Sequence, residues 1–170
     1  HRGVWIYIVD ENDELLLLKR STETVTCPNT WGFPGEHTKH NESYLETAYR
    51  GVLEELGLTR HHIISTKPLF KEPLYLDITY FGPRYKHDLQ WSMSFLMRVK
   101  KEHIYKYNHE SALMQWKPVS KVKFWMDEVP SRVCIARDFK YSSTEFNVTN
   151  AEWSFKEAFE FHLQLIKPLL

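Results

Sequence analysis

Two adjacent glutamates, Glu54 and Glu55, are the residues whose types and spacing are best suited to chemistry. Arg50 lies four residues before Glu54, so these two side chains share one face of a helix. Neighbouring carboxylates repel each other, and a hard cation is a common reason for a protein to keep them close. A glycine-containing loop precedes this segment and can bring backbone groups to the same point. The pattern therefore predicts a Mg²⁺ site that grips a diphosphate, with a solvated acidic helix face as the alternative.

A longer pattern surrounds this pair of glutamates. Residues 35–42 form a polar loop with a glycine, seven residues follow, and residues 50–58 complete a charged and aliphatic motif. This arrangement resembles the Nudix box, and residues 31–35 are similar to the usual approach to that box. The positions that match in register are Glu42, Arg50, Val52, Glu54, Glu55, Gly57 and Leu58. The resemblance implies an α/β fold, a Nudix-type α/β/α sandwich with a mixed sheet, as a single domain over residues 1–170 with the box at about 35–58.

The resemblance also implies roles for particular residues. Mg²⁺ or Mn²⁺ is the implied cofactor, and a small organic diphosphate is the implied substrate. Arg50 would orient Glu42 and the neighbouring carboxylates through charge-assisted hydrogen bonds. The residues implied as metal ligands are Glu54, Glu55, Glu110 and the carbonyl of Gly35. The residues expected at the catalytic centre are Arg50, Glu54, Glu55 and Glu110.

The chain departs from the box at two positions. Glu36 stands where the box has a glycine, and Gly51 stands where it has a glutamate that usually binds metal. A glycine inside a helix costs about 1 kcal/mol relative to alanine, so packing or ligand access is expected to explain Gly51. The loss of that glutamate weakens one metal position and leaves the general base open, with Glu110 and Glu36 as candidates.

A second resemblance lies within the first, to type I isopentenyl-diphosphate isomerase, which shares the Nudix fold. It is carried by residues 1–2, 26–31, 35–37 and 42–43. It implies a metal corner formed by His1, His37 and Asp88, and the alternative is that His1 is an ordinary surface histidine. Gly35 occupies the place of the isomerase's cysteine, and Gln90 that of its catalytic glutamate. Because the proton-transferring pair is missing, isomerase activity is not expected.

The elements that must position these residues follow from hydrophobic periodicity. One apolar stripe at helical spacing consists of Leu45, Ala48, Val52 and Leu56. It predicts a helix over residues 43–56 that ends at Gly57. A β-hairpin is predicted over residues 4–19 with its second strand buried on both faces, followed by a loop whose Trp31 packs inside. Further strands are predicted over residues 74–81, 91–99 and 112–119, and a closing helix over about 151–167.

Composition excludes several classes of protein. The 170 residues include 22 Lys plus Arg and 22 Asp plus Glu, a neutral balance that argues against a dedicated duplex-DNA binder. A basic, aromatic segment over residues 98–107 keeps nucleic-acid contact as a disfavoured alternative. No apolar run is long enough to span a bilayer, so no membrane contact is expected. Cys27 and Cys134 cannot form a disulfide framework, and a cytoplasmic setting is expected for a chain that starts at His1 as a trimmed or processed product.

Three functions are compatible with these features. The favoured one is metal-dependent hydrolysis of a diphosphate linkage in a nucleoside diphosphate derivative or another organic diphosphate. A non-catalytic module that binds a nucleotide, RNA or protein partner is suggested by the altered positions Glu36 and Gly51. An enzyme that acts on an isoprenoid diphosphate is suggested by the histidines of the metal corner. The sequence leaves the oligomeric state open.

Overall fold

A computed structural model describes residues 1–24, 27–80, 86–105, 107–122, 136–152 and 155–170. Within these residues ten strands form one sheet, two long α-helices pack against it, and residues 119–122 are also helical. The strands are β1 (Arg2–Val9), β2 (Glu14–Arg20), β3 (Trp31–Gly32), β4 (Gly35–His37), β5 (Ile63–Pro68), β6 (Leu74–Tyr80), β7 (Lys86–Val99), β8 (Ser111–Pro118), β9 (Ala136–Ser143) and β10 (Val148–Glu152). The helices are α1 (Tyr44–Leu56) and α2 (Phe155–Ile166).

The sheet is mixed, as predicted. Its main path runs β10-β9-β6-β7-β1-β2-β3, while β4 pairs with β1, β5 with β7 and β8 with β2. The pair β1 and β7 is parallel, from Arg2 beside Trp91 to Val9 beside Arg98. The other pairs in the described residues are antiparallel. The parallel pair at the centre brings the start of β1 next to the middle of β7, where Asp88 and Gln90 lie close by.

Strand β1 contacts α1 on one face of the sheet and α2 on the other. Side chains alternate across a strand, so Ile6 and Tyr7 point to opposite faces of the sheet. Ile6 faces Gly51 of α1, whereas the Tyr7 hydroxyl lies 2.7 Å from Nδ1 of His162 on α2. Helices therefore cover both faces, and the predicted α/β/α sandwich is confirmed.

Helix α1 begins and ends where its sequence predicts. Ser43 is the N-cap, and it forms a capping box with Glu46; Gly57 adopts φ 71° as the C-cap, and its N–H bonds to the Leu53 carbonyl. The prediction for Leu45 was wrong, because this side chain is 42% exposed. Thr47, whose hydroxyl donates to the Ser43 carbonyl, is buried in the helix face instead.

The core centres on β1 and β2. Residues 15–18 are buried on both faces of the sheet, as predicted, and burying each leucine contributes roughly 1.5–3 kcal/mol. The hairpin turn before them is held by Asp10 Oδ1, which accepts the N–H of Asn12 and of Glu14. Trp31 is also buried, as the loop prediction required. Strand β4, in the loop before α1, pairs with β1 of this core.

Several predicted boundaries change in the structure. The strand predicted over 91–99 extends back to Lys86 as β7, and the strand over 112–119 is β8. The closing helix was predicted too early, because Ala151 and Glu152 pair with β9 before α2 begins at Phe155. Strands β3, β4, β5, β9 and β10 had not been predicted, and β3 and β4 lie in segments that were predicted as loop. The predictions for Cys134 and for part of residues 26–31 and 74–81 lie outside the described residues, as does Lys106 of the basic segment.

No helix in the described part of the chain combines the length and apolar character that a membrane span requires.

Candidate functional site

A polar cleft of about 340 Å³ opens between β4, α1, the start of β1 and the loop before β8. The side chains that line it include five carboxylates, which belong to Glu36, Glu54, Glu55, Asp88 and Glu110. The cleft is also lined by Gly35, His37, Gln90, Arg20 and Asn108. Gly35, His37, Glu54, Glu55 and Glu110, the residues for which the sequence predicts metal ligation, are thus brought together in one place.

Arg50 is the cation that organises this wall of the cleft. Its Nε and Nη2 donate to the two carboxylate oxygens of Glu42, at 2.9 and 3.0 Å, and Nη2 also donates to the His37 carbonyl at 2.6 Å. Its Nη1 lies 3.3 Å from a carboxylate oxygen of Glu54 and 3.3 Å from one of Glu36. Arg50 therefore ties the loop of β4 to α1, in agreement with its predicted orienting role.

Glu42 is the anchor of this arrangement. The hydrogen bonds from Arg50 lower the pKa of Glu42 to about 2, with further bonds from the Lys39 N–H and the Thr47 hydroxyl. The same pairing raises the pKa of Arg50. Both groups therefore stay charged at neutral pH, and a bidentate pair of this kind also fixes geometry.

Glu55 has the opposite environment. Burial in the cleft raises its pKa to about 8, and the negative charges of Glu110 and Glu36 add to the rise, while a hydrogen bond from the Gly35 N–H opposes it. The interpretation of a solvated acidic helix face therefore fails for Glu55, which is half-buried, although Glu54 is exposed. In the metal-free protein, Glu55 therefore favours its neutral form at neutral pH.

A divalent hard cation fits this donor set. Mg²⁺ and Mn²⁺ prefer oxygen ligands, and the cleft offers several carboxylates together with backbone groups of Gly35. The raised pKa of Glu55 marks the place at which added positive charge would stabilise the ionised form. The residues present are therefore suited to holding such an ion.

The loop before β8 brings Glu110 to the box from a distant part of the chain. The Asn108 N–H donates to the Glu55 carbonyl at 2.9 Å, and the Ser21 N–H donates to the Glu110 carbonyl at 2.7 Å. The Asn108 side chain also accepts the Glu110 N–H at 3.1 Å. Backbone bonds on both sides therefore hold Glu110 against the end of α1.

The three residues of the predicted metal corner also meet. His1 Nδ1 lies 3.2 Å from Asp88 Oδ1, and the rings of His1 and His37 lie 4.5 Å apart. One ligand atom from each of His1, His37 and Asp88 falls within 4.8 Å of the others. His1 Nε2 is also 3.1 Å from the amide oxygen of Gln90, which is buried. His1 is exposed but contacts both Asp88 and Gln90, so the metal corner stays a prediction that this geometry permits.

Sequence reasoning missed two polar side chains of the cleft, and the structure gives Arg98, outside the cleft, a specific role. Arg20 and Asn108 line the cleft, but neither lies in a motif, so no local signal identifies them. Arg98, assigned to a basic segment, instead donates to the Asp10 carbonyl at 2.6 Å and to Asp13 at 2.7 Å. These bonds tie β7 to the β1–β2 turn.

Comparison with known proteins decides the family. The family model described as NUDIX domain matches residues 1–137. The chain belongs to the Nudix family. Within that family, the m7GpppN-mRNA hydrolase NUDT17 of Danio rerio is 38% identical over 56 residues, which make up 33% of this chain and 19% of that protein. The matched segment thus spans about a fifth of the length of this curated relative.

Solved structures resemble this Nudix chain in fold. A MutT protein from Methanosarcina mazei Go1 has a TM-score of 0.60 and 20% identity, covering 98% of this chain and 94% of that one. A Caenorhabditis elegans Ap4A hydrolase in a binary complex has a TM-score of 0.56 and 16% identity, covering 96% and 97%. At these identities the likeness establishes the fold and nothing finer. The resemblance to isopentenyl-diphosphate isomerase stays a hypothesis.

Proposed function

We propose that this Nudix protein hydrolyses a diphosphate linkage in a small organic diphosphate, with Mg²⁺ or Mn²⁺ as cofactor. The observation that carries the proposal is the cleft in which Gly35, Glu54, Glu55 and Glu110 lie together, beside the ion pairs of Arg50. The raised pKa of Glu55, about 8, favours an enzyme over a non-catalytic module. Perturbed carboxylates in a cleft are typical of functional sites.

In the proposed reaction, water attacks phosphorus and the bridging P–O bond breaks, leaving two phosphate-bearing products. Glu54, Glu55, Glu110 and the Gly35 carbonyl would hold the divalent cation, which would neutralise the diphosphate and polarise the water. Arg50 keeps the β4 loop and α1 in register, so that these ligands converge before substrate arrives. Such preorganisation matters because phosphoryl transfer depends mainly on positioning and charge neutralisation.

A nucleotide derivative is the substrate class that we favour. The zebrafish relative is named as an mRNA-cap hydrolase, and one solved structure of similar fold is named as an Ap4A hydrolase. Both names refer to substrates in which phosphates link nucleosides. The cleft is mainly polar and holds hydrogen-bonding groups such as Asn108 and Gln90, as a nucleotide site requires.

A second candidate is an enzyme that acts on an isoprenoid diphosphate. The observation in its favour is the corner of His1, His37 and Asp88, whose ligand atoms lie within 4.8 Å of one another. Against double-bond isomerisation stands the pair Gly35 and Gln90, neither of which transfers a proton.

The decisive experiment is a substrate panel of nucleotide sugars, dinucleoside polyphosphates, capped RNA and isoprenoid diphosphates, each with Mg²⁺ or Mn²⁺. The double variant Glu54→Gln, Glu55→Gln is expected to lose at least about a hundredfold in turnover, because transition-state charge is no longer neutralised. Glu102→Gln is the matched control, since this carboxylate is 72% exposed and lies outside the cleft. No turnover of any substrate by a folded, ligand-binding protein would favour the non-catalytic module.

A further inference from the structure

The two positions at which this chain departs from the Nudix box lie against each other. Glu36 stands where the box has glycine, and Gly51 stands where it has glutamate. A Cβ atom placed on Gly51 would lie 3.0 Å from the Cβ of Glu36 and 3.6 Å from its Cγ. The stem of Glu36 therefore occupies the space that a side chain at position 51 would need.

This contact has little freedom to relax. The backbone of β4 sets the position of the Glu36 Cβ, where Glu36 pairs with Val4 of β1, and rotation about χ1 moves only the atoms beyond it. On the other side, Gly51 lies on the buried face of α1, and Cδ1 of Ile6 is 3.4 Å from the same point. A side chain at 51 beside one at 36 thus requires the strand or the helix to move by a few tenths of an ångström.

Gly51 is present for space and not for conformational freedom. It lies inside α1 between Arg50 and Val52, in a regular helix in which glycine is less stable than alanine. Gly57, by contrast, has a positive φ of 71° and needs its glycine for the helix end. Position 51 therefore needs glycine because it has no side chain.

The carboxylate of Glu36 points into the cleft. Its Oε1 accepts the His37 N–H at 2.8 Å, and its Oε2 lies 3.3 Å from Arg50 Nη1. The same Arg50 nitrogen lies 3.3 Å from Oε2 of Glu54, so one guanidinium spans both carboxylates. Glu36 is also close enough to Glu55 for its charge to act on that group. The side chain is 24% exposed, which leaves it accessible from the cleft.

We propose that Glu36 supplies, from β4, the metal-binding carboxylate that the box normally supplies from position 51 of the helix. Glu36 binds the divalent cation together with Glu54 and Glu55. Gly51 leaves the space that the Glu36 side chain needs. The two departures together therefore leave the cleft with the same number of carboxylates as the usual box, and they form one coupled change. This inference rests on the proposed function, since it assigns a ligand to the same cation.

Manganese binding tests the carboxylate directly, by electron paramagnetic resonance of free Mn²⁺ without substrate. Glu36→Gln keeps the stem and removes the charge, so the Kd for Mn²⁺ is expected to rise by about tenfold or more, the range found even for residues that only orient ligands. The double variant Glu36→Gly, Gly51→Glu returns the carboxylate to the helix and is expected to recover most of the loss. Glu102→Gln, which removes an exposed carboxylate elsewhere, should leave the Kd unchanged.

Thermal unfolding in EDTA tests the shared space, with no metal and no activity involved. In the natural background, Gly51→Ala is expected to lower Tm, because the new methyl group meets the Glu36 stem. In the Glu36→Gly background the same substitution should raise Tm by about 2–4 °C, because alanine is the better helix former and the space is now open. An equal shift in both backgrounds would overturn the steric part of the inference.

The outcomes separate this inference from the proposed function. If Glu36→Gln binds Mn²⁺ like the natural protein while Glu54→Gln with Glu55→Gln does not, the role of Glu36 is overturned and the cation site stands. If the latter pair also binds Mn²⁺ normally, the proposed cation site itself is refuted. Weakened binding in both, with recovery in the exchanged double variant, supports the inference.

Discussion

Glu55 makes the stability of the metal-free protein depend on pH. Burial and the charges of Glu110 and Glu36 raise its pKa from 4.5 to about 8. Between these values the unfolded chain has lost the proton on residue 55 while the folded protein keeps it, so the free energy of unfolding falls as pH rises. At about 1.4 kcal/mol per pH unit over roughly 3.5 units, the loss is about 5 kcal/mol. The stabilising contribution is complete below pH 4.5 and is lost as pH rises through about 8.

Glu55→Gln isolates this contribution, because glutamine carries no such proton. Urea unfolding in EDTA, followed by tryptophan fluorescence, measures the free energy of unfolding for both proteins across this pH range. The value for the variant minus that of the natural protein is expected to rise by about 5 kcal/mol between pH 4.5 and 8. Glu54→Gln is the control; its side chain is 49% exposed, and exposed ion pairs contribute only about 0–1 kcal/mol. A difference for Glu55→Gln that does not change with pH would refute the reasoning.

Three further predictions concern the scaffold. Leu16→Ala should lower the free energy of unfolding by about 2–5 kcal/mol, because Leu16 is fully buried. Leu53→Ala, at a side chain that is 50% exposed, should change it by about 0.5 kcal/mol or less. Equal losses for the two variants in urea titrations would contradict the core assignment. Ser43→Ala removes the N-cap of α1 and should cost about 1 kcal/mol, or about 2–4 °C in Tm, with Ser43→Asp as the variant that keeps the cap. Burial lowers the pKa of His162 from 6.5 to about 3, so the unfolded chain binds the proton first and the free energy of unfolding should fall as pH drops through this range. His162→Gln should remove this fall, as measured by urea unfolding at each pH. An unchanged pH dependence in the variant would count against the prediction.

Local chemistry in the sequence predicted the helix of the site well. The predicted helix over 43–56 with its end at Gly57 is confirmed, and the structure adds that Ser43 is the N-cap. The four-residue spacing of Arg50 and Glu54 predicted a shared face, and the two groups lie 3.3 Å apart. These features succeed because each depends on neighbours within one or two helical turns.

Long-range pairing explains the strands that the sequence did not predict. Strand β9 lies between β6 and β10, and its residues Tyr141 and Lys140 pair with Ala151 and Glu152 of β10. The aromatic stripe that follows at helical spacing led the closing helix to be placed too early over those two residues. Strand identity there is decided by hydrogen-bonding partners, and those partners are invisible to local periodicity.

Sequence alone determined the family pattern, the charge balance, the ends of α1 and the set of carboxylates suited to a cation. Only the tertiary structure decided how Glu110 reaches Glu55, through the backbone bond from Asn108, and that His1 contacts Asp88. It also decided that Glu36 and Gly51 occupy one space. Sequence patterns encode interactions between near neighbours along the chain. The distance between a strand and a helix depends instead on how whole elements pack, and in a close-packed interior a fraction of an ångström decides whether two side chains fit.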